Sequence, residues 1–379
     1  MSIYLDNAAT TALDPEVFEA MKPFMLNDFG NPSSTHSHGR KVKSAIEMGR
    51  KRIAEILNCT PGEIIFTSGG TEADNAIIVS SIKTYHIKHA ISSAIEHHAV
   101  SHTLELLAKD GLIELHLVKL DANGNVDYQD LENLLNQYPG ALVSLMHANN
   151  EIGNLLDIER VADLVDTYKG YFHSDTVQSI GHYRHDLKKS KIHAMTAAAH
   201  KFHGPKGIGF MYINKDKKIQ PFIHGGAQER NLRGGTENTF GIVGLTKAME
   251  IAYRDLERHT TYIKGIKSRM IELLKANIPG ITFNGESGDI DNSLYTVLNA
   301  SFPESEDNEM LLFNLDLAGI SASGGSACSS GTSTGSHVLN TLYPGSKRGA
   351  VRFSFSKFTK MEDVEFTVEK LTELYRVSV

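Results

Sequence analysis

The sequence predicts an α/β fold with a largely parallel sheet and helices on both of its faces. Short apolar runs alternate with amphipathic stretches along roughly the first 235 residues. Such alternation is typical of parallel sheets, because neighbouring parallel strands need a crossover that is usually a helix. The length of 379 residues also leaves room for a second domain.

The elements of this sheet can be placed in chain order. The predicted strands read EIIFT (63–67), HAISS (89–93), IELHLV, ALVSLM, GYFHSD, IHAMTAAAH and GIGFMYI. The helical patterns between them include SGGTEADNAIIVSSI after a glycine turn, HHAVSHTLELLAKDG and IERVADLVDTY. The second of these helices ends at a glycine, which is a common stop signal.

The organisation changes after about residue 235. The apolar-periodic segment that begins NTFGIVGLTKAMEIAY predicts one or two long helices, and SLYTVLNAS and AVRFSFS predict shorter strands. The spacing of Thr359 and Glu362 indicates a capping box at the start of the last helix. We predict a large domain of residues 15–257 and a smaller α+β domain of residues 1–14 and 258–379, joined by the short N-terminal strand Ile3-Tyr4-Leu5.

Composition excludes several classes of function. The net charge of −7 argues against general affinity for nucleic acid or anionic membranes. The only cysteines, Cys59 and Cys328, cannot form a disulfide framework. The N-terminus lacks a signal-peptide pattern, and no apolar run reaches membrane-spanning length. We therefore expect a cytoplasmic protein with no nucleic-acid or membrane partner.

Polar side chains follow five of the predicted strands at the point where each strand ends. The segments are Ser68-Gly69-Gly70-Thr71, Glu96-His97-His98, Asn149-Asn150-Glu151, Asp175 with Gln178, and Lys201. Because the carboxyl ends of parallel strands meet at one edge of a sheet, these residues are expected to line one cleft.

Lys201 follows a predicted strand of small residues, although lysine is rarely fully buried. Its amine therefore either extends to solvent or has a chemical role. The SGGT turn can bind an anion at a helix N-terminus, although a plain helix cap is an alternative. Asp175 can be an N-cap or the counter-ion of a protonated heteroaromatic nitrogen. A lysine beside a phosphate cup and an aspartate is the arrangement that binds pyridoxal phosphate as a Schiff base.

Histidine pairs require that a metal site be considered. They are His36/His38, His97/His98 and His200/His203. None has the cysteine or carboxylate neighbours and helical spacing that zinc sites usually show, so we expect no metal. His97 can be a hydrogen-bonded structural residue or a catalyst.

Two further residues have open interpretations. Cys328 lies in SASGGSACSSGTSTGSH, whose composition is typical of a loop, and its thiol is either incidental or functional. Arg352 lies in the apolar strand AVRFSFS, where its guanidinium needs an anion: a ligand carboxylate or a salt bridge between domains.

Ten motifs occur together along the chain. They are YLDNAATT, FGNPSS, SGGTEADN, EHHAV, HANNEIG, SDTVQSIGH, AHKFHGPKGIGF, HGGAQERNLRGGTEN, SGGSACSS and VRFSFSKFT. In this order they resemble the cysteine desulfurases of the NifS/IscS type, in the class V aminotransferase family of fold-type I pyridoxal phosphate enzymes. The resemblance implies a large, mostly parallel seven-stranded α/β/α domain and a smaller α+β domain with a catalytic cysteine loop at about 322–337.

The same resemblance implies an activity and its partners. Members are homodimers that use pyridoxal 5'-phosphate to convert L-cysteine to L-alanine. The sulfur passes to Cys328 as a persulfide, and then to an acceptor protein, which would be an iron–sulfur scaffold or a tRNA-thiolation enzyme.

Residue roles are carried over from the motifs. The implied cofactor-binding residues are Gly70, Thr71, His97, Asn150, Asp175, Gln178, His200, Lys201 and Thr236. The implied substrate-binding residues are Asn31, Asn150 and Arg352, and the implied catalytic residues are Lys201, His97 and Cys328. Lys201 would form the Schiff base, Asp175 would pair with the ring nitrogen, and Gln178 would bind the ring hydroxyl. His97 would stack on the ring, and Thr236 would reach the phosphate of the other subunit.

One departure from the family pattern concerns the phosphate. Many members carry a serine two residues before the motif histidine, whereas this chain has Ala198. Three alternative functions stay open: a selenocysteine lyase, another class V aminotransferase, and a catalytically silent relative that acts as a binding or scaffold subunit.

Overall fold

The structure is a computed structural model that describes residues 2–324 and 335–376. Its strands over these ranges are β1 (Ile3–Tyr4), β2 (Ile64–Thr67), β3 (His89–Ser92), β4 (Glu114–Leu117), β5 (Leu142–Ser144), β6 (Tyr171–Asp175), β7 (Ala194–Ala198), β8 (Gly209–Ile213), β9 (Thr282–Phe283), β10 (Val297–Glu304), β11 (Ile320–Ser321) and β12 (Arg348–Ser354). Its helices over the same ranges are α1 (Pro15–Leu26), α2 (Ser37–Leu57), α3 (Gly70–Tyr85), α4 (His98–Lys109), α5 (Tyr128–Gln137), α6 (Ile158–Thr167), α7 (Thr239–Arg254), α8 (Leu256–Asn277), α9 (Leu311–Leu317), α10 (His337–Leu342) and α11 (Met361–Arg376).

The main sheet has seven strands, counted over the described ranges, in the order β2-β8-β7-β6-β5-β3-β4. The pairs β7–β6, β6–β5, β5–β3 and β3–β4 are parallel, and β8 runs antiparallel to both β2 and β7. The predicted seven-stranded, mostly parallel α/β fold is therefore confirmed.

Helices cover both faces of this sheet. On one face, α1, α2, α5, α6 and α7 bury apolar side chains against residues such as Phe66, Phe172 and Phe210. On the other face, α3 and α4 pack on residues such as Ile65 and Met211. Successive strand residues thus point into opposite cores, as the two-residue period of a strand requires.

A second core lies outside the sheet. It joins β1, β10 and β12 to α8, α9 and α11, with Phe302, Phe353 and Leu371 fully buried. As expected, the N-terminal strand packs here, because β1 pairs in parallel with β11. On the basis of these separate cores we propose residues 15–257 and residues 1–14 with 258–379 as the two domains.

The long apolar segment forms two helices. Asp255 ends α7 and precedes α8, with φ −106° and ψ 14°, and Nη2 of Arg254 donates to its carboxylate at 2.8 Å. At the last helix the predicted capping box of Thr359 and Glu362 is wrong, because the hydroxyl of Thr359 accepts from the N–H of Ser356, which precedes the helix. The carboxylate of Asp363, and not that of Glu362, accepts from a backbone N–H before the helix, that of Lys360 at 2.8 Å.

Candidate active site

The predicted site residues meet at one edge of the main sheet. Strands β2, β3, β5, β6 and β7 run in the same direction, so their carboxyl ends share this edge. A cavity of about 190 Å³ lies there, covered in part by the N-terminal segment that carries Ala8 and Ala9. Nine predicted residues line it: Gly70, Thr71, His97, Asn150, Asp175, Gln178, His200, Lys201 and Arg352.

The amine of Lys201 lies inside this cleft and does not extend to bulk solvent. β7 passes directly into a 3₁₀ turn, Ala199–Lys201, which places the side chain at the end of the strand. Its Nζ donates to the backbone oxygens of Ala8 at 2.5 Å and Ala9 at 3.0 Å. The half-buried lysine therefore has hydrogen-bond acceptors in place of the water it loses.

The N-terminal segment also fixes the backbone of the lysine turn. Both the N–H and the hydroxyl of Thr11 donate to the carbonyl of His200, each at 2.9 Å. The same hydroxyl accepts from the N–H of His203 at 2.8 Å. Two turns from distant parts of the chain are thus joined beside Lys201, which restricts where its amine can lie.

Asp175 and Gln178 enter the cleft from the end of β6. The carboxylate of Asp175 accepts from the N–H of Val177 at 2.9 Å, so its Oδ1 is held by its own turn. The side chain of Asp175 is 7% exposed. Nε2 of Gln178 donates to Ala8 at 3.0 Å, the carbonyl that also accepts from Lys201.

A second carboxyl, Asp74, lies behind Asp175. Ligand atoms of Asp74, Asp175 and His97 all lie within 4.8 Å of one another. Burial, and next the negative charge of Asp175, raise the pKa of Asp74 well above its usual value. Burial and the neighbouring carboxylate thus both favour the protonated form of Asp74.

A buried histidine supports Asp74 from the far side. Nε2 of His173 lies 3.3 Å from Oδ1 of Asp74, and its Nδ1 lies 2.9 Å from the hydroxyl of Ser144. Burial lowers the pKa of His173 to about 3, so the imidazole is neutral. The two facing atoms are close, but neither has a hydrogen-bond partner in the described part of the chain.

His97 caps helix α4 and faces the cavity. Its Nδ1 accepts from the N–H of Ala99 at 3.2 Å, so in the neutral ring the proton is on Nε2. The preceding Glu96 is buried, and burial raises its pKa to about 8. The hydroxyl of Ser93 and the N–H of Met146 donate to Glu96 and fix the turn that presents His97.

The glycine turn after β2 forms a cup. A Cβ added to Gly70 would lie 2.7 Å from Cγ2 of Val177, so a side chain there would fill the cup. The same position is 3.8 Å from Cβ of Ala198, which forms the opposite wall. Burial, and next the charge of Lys201, lower the pKa of His200 to about 4, so this ring is neutral. The free N–H groups of the α3 N-terminus make the cup suitable for a phosphate.

Arg352 closes the other end of the cleft. It is 1% exposed, Nη1 donates to the carbonyl of Asn150 at 3.0 Å, and Nη2 donates to Asp6 at 2.8 Å. Its buried Nε has no hydrogen-bond partner among the described residues. Because Arg352 also lines the cavity, its guanidinium fits a carboxylate ligand there.

Two predicted residues lie outside this cavity. Asn31 and Thr236 are exposed and do not line this cavity, so their roles stay predictions. Cys328 lies outside the described residues. Asp74 and the Arg352 partner Asp6 were missed, although both stand within quoted motifs. Asp74 could have been found, because it follows Gly70 by four residues and so shares its helix face. Asp6 has no local signal.

The residues present fit pyridoxal phosphate. The cup at Gly70 suits a phosphate, the carboxylate of Asp175 suits a protonated ring nitrogen, and the amine of Lys201 suits an aldehyde. All three groups border one cavity, and the guanidinium of Arg352, which lines the same cavity, suits an amino-acid carboxylate.

Comparisons with known proteins agree with this geometry. The family model Aminotransferase class-V matches residues 3–366. A Dictyoglomus turgidum protein named cysteine desulfurase IscS is 41% identical over 376 residues, which are 98% of this chain and 94% of the relative. A solved structure named NIFS-LIKE PROTEIN has a TM-score of 0.91 at 34% identity and covers 100% of both chains. Another, SspA in complex with cysteine, has a TM-score of 0.81 at 29% identity and covers 95% of this chain and 100% of that one.

Proposed function

Because the chain belongs to the class V aminotransferase family, among its cysteine desulfurases of the NifS and IscS type, we propose that it is a pyridoxal phosphate-dependent cysteine desulfurase. The observation that carries the proposal is the position of the Lys201 amine, turned into a cavity that Asp175 and Gly70 also line. A silent binding relative would have no need of this arrangement.

Several residues would hold the cofactor. Gly70, Thr71 and His200 would bind the phosphate, Gln178 the ring hydroxyl and Asp175 the ring nitrogen. When bound, pyridoxal phosphate supplies an aldehyde that condenses with amines and a protonated ring that accepts the electron pair of a broken Cα–H bond. Asp175 would pair with the protonated ring nitrogen, and the raised pKa of Asp74 disfavours a second negative charge behind it.

Two residues move protons at the reacting carbon atoms. The Lys201 amine takes the proton from Cα of the substrate and can return it. His97, held at Nδ1 by the N–H of Ala99, offers its Nε2 to the same space. General acid–base catalysis of this type needs both groups within hydrogen-bond reach of the substrate, which their shared cavity allows.

Arg352 would orient L-cysteine by its carboxylate. The guanidinium is held in place by Asp6 and by the Asn150 carbonyl, so little entropy is lost when a carboxylate binds. With the carboxylate fixed at one end, the Cβ–S bond of the substrate can project away from the phosphate cup. An approaching thiol could then reach its sulfur.

Cys328 would accept that sulfur. In the net reaction the Cβ–S bond breaks and an S–S bond forms between Cys328 and the substrate sulfur. The proton of the Cys328 thiol ends on Cβ, which gives L-alanine and a persulfide. The atoms balance without an external oxidant. Transfer to an iron–sulfur scaffold or a tRNA-thiolation enzyme would regenerate the thiol.

The proposal also covers the oligomeric state and the cellular location of the protein. Thr236 is exposed and lies outside this chain's cavity, as expected of a residue that completes the phosphate cup of a partner in a homodimer. Within the described ranges, no helix combines the length and apolarity needed to cross a membrane. We propose a cytoplasmic homodimer, which fits the expected acceptors.

The test is release of L-alanine and sulfide from L-cysteine in the presence of a thiol reductant. Wild type should release both in equal amounts, and Lys201→Ala should release neither. Cys328→Ala should bind cofactor and lose sulfide release. The matched control is Lys109→Ala, an exposed lysine at the opposite end of α4 from His97, which should keep wild-type rates.

The alternatives predict different results. An aminotransferase would stay active as Cys328→Ala, and a silent relative would stay colourless with pyridoxal phosphate. A selenocysteine lyase would release selenide from selenocysteine but no sulfide from cysteine. Absence of alanine from the coloured wild-type protein would refute the proposed function.

A further inference from the structure

Two histidines and a glutamate meet on the outermost pair of strands of the main sheet, β3 and β4. They lie at the start of β3, which is the end of that strand away from the cofactor cavity. β4 is the last strand of the sheet and pairs in parallel with β3. The register sets His89 opposite Glu114 and Ile91 opposite His116. Since side chains two residues apart on a strand share a face, Glu114 and His116 both project beside His89.

The three side chains have the spacing of metal ligands. Nδ1 of His89 lies 3.2 Å from Nε2 of His116 and 3.7 Å from Oε2 of Glu114, and all three ligand atoms lie within 4.8 Å of one another. Zn–N bonds of about 2.0–2.1 Å at a tetrahedral angle place two nitrogen ligands about 3.3 Å apart. The observed nitrogen separation therefore matches that of two ligands of one ion, and binding also requires the rings to turn until both lone pairs point to the ion and no longer along the line between the two nitrogens.

An aromatic ring holds the two imidazoles in this orientation. Tyr138 follows α5 and stacks on both, with centroid distances of 4.4 Å to His89 and 4.0 Å to His116. The hydrogen bond between the two rings requires a proton on one of the facing nitrogens. A shift of that proton to the other nitrogen of the same ring would leave a lone pair on each of the two facing nitrogens, as an ion bound by both requires.

We propose that His89, Glu114 and His116 bind one divalent transition-metal ion, of which Zn²⁺ suits the ligands best. Imidazole nitrogen favours zinc, copper and nickel, whereas Mg²⁺ and Ca²⁺ favour oxygen ligands alone. Three protein ligands leave a fourth position for water. The ion joins β4 to β3 and so stabilises the edge of the sheet, independently of the desulfurase activity.

The histidine pairs recognised in the sequence play no part in this site. Its ligands come from two strands and are separated by 27 positions at the histidines. Only the parallel register of β3 and β4 brings them together. This is the reason that spacing along the chain predicts no metal there.

The test measures Zn²⁺ binding to cofactor-loaded, tag-free protein by titration calorimetry, with Mg²⁺ as the negative control. The loaded cofactor blocks the cavity where Asp74, His97 and Asp175 also approach one another. Wild type should bind one Zn²⁺ and melt at a higher temperature with it. His116→Gln should weaken binding by about 100-fold or more, since loss of even an outer-shell partner costs 10- to 100-fold.

Two further variants keep the test decisive. Glu114→Gln alters a largely exposed side chain, so folding is preserved, and it should weaken binding with the protein intact. His86→Asn removes an exposed imidazole just before β3 and should bind like wild type. Cobalt(II) should give the intense visible bands of a four-coordinate site without thiolate charge-transfer bands. The proposal would be overturned by any of three results. They are unchanged Zn²⁺ binding in both Glu114→Gln and His116→Gln, no saturable Zn²⁺ binding by wild type, and thiolate charge-transfer bands in the cobalt(II) spectrum.

Discussion

Replacement of Ala198 by serine should strengthen cofactor binding. Ala198 is the last residue of β7 and is 2% exposed, and its Cβ faces the position of Gly70 across the phosphate cup. A serine hydroxyl there would be directed at the phosphate by the strand that carries it. Gly70 has no side chain to compete for the space.

The magnitude follows from the charge of the acceptor. A hydrogen bond to a charged group is worth about 1.5–3 kcal/mol, which corresponds to about 10- to 150-fold in affinity. Without cofactor the buried hydroxyl that Ala198→Ser introduces would lack that partner, and the apoprotein should lose about 1 kcal/mol of stability or more. The substitution should thus lower the dissociation constant while slightly destabilising the apoprotein.

The assay is equilibrium dialysis of pyridoxal phosphate against apoprotein. Measurement in a Lys201→Ala background removes the covalent link, so that the phosphate contribution is resolved. The matched control is Ala148→Ser, which has the same 2% exposure and lines the same cavity but lies near Asn150. The control should show no gain in affinity.

Two results would refute this reasoning. If Ala198→Ser binds the cofactor no more tightly than its parent, the side chain at 198 does not reach the phosphate. If Ala148→Ser gains as much, the effect is a general one of cavity polarity and not a directed hydrogen bond. Either result would also remove the cup at Gly70 as the proposed phosphate site.

Three further predictions concern buried charges. Arg352→Lys should raise KM for L-cysteine about 10- to 100-fold with a smaller effect on kcat, because lysine lacks the planar fork of the guanidinium. Steady-state kinetics measures both constants, and a loss of kcat alone would contradict the prediction. Asp74→Asn should keep most desulfurase activity at pH 7, because the pKa of Asp74 is raised and asparagine resembles the neutral acid. Asp175→Asn should lose the activity. Equal losses of activity in the two variants would refute the different roles given to Asp74 and Asp175. Burial lowers the pKa of Lys267 to about 7, so unfolded chains hold more protons between that value and the usual lysine range. The unfolding free energy of wild type relative to Lys267→Met should therefore rise from pH 7 to pH 10, by at most about 1.4 kcal/mol per pH unit, and a constant difference in denaturant titrations would disprove this.

Local signals predicted the sheet and most of the cleft. The site residues from the large sheet, such as Asp175 and Lys201, lie at the end of a strand or a few residues after it, and the apolar run of each strand is visible in the sequence. The parallel topology then requires those ends to converge, so strand positions alone were enough to group them. The start of the last helix shows where such reasoning is weakest, since the neighbouring Glu362 and Asp363 compete for one backbone N–H there, and Asp363 accepts it.

Contacts across long sequence separations had no such signal. The carbonyl of Ala8 accepts from both Gln178 and Lys201, which are 170 and 193 positions away. A backbone oxygen has no residue type that marks it, so composition and spacing predict nothing about it. The role of this segment depends on β1, whose pairing with β11 carries residues 5–11 across the mouth of the cleft.

The same reasoning explains why Arg352 was ambiguous in the sequence. A ligand carboxylate and a salt bridge between domains were alternatives, and the structure shows that the guanidinium has capacity for both. Nη2 is used by Asp6, 346 positions away, and Nη1 by the Asn150 carbonyl, while Nε is buried without a hydrogen-bond partner in the described part of the chain. A purely structural arginine in so buried a position would be expected to satisfy every donor, because each unsatisfied one costs free energy. The position of Arg352 on the wall of the cavity, together with this unsatisfied donor, is the observation that supports the proposed role in binding the substrate carboxylate.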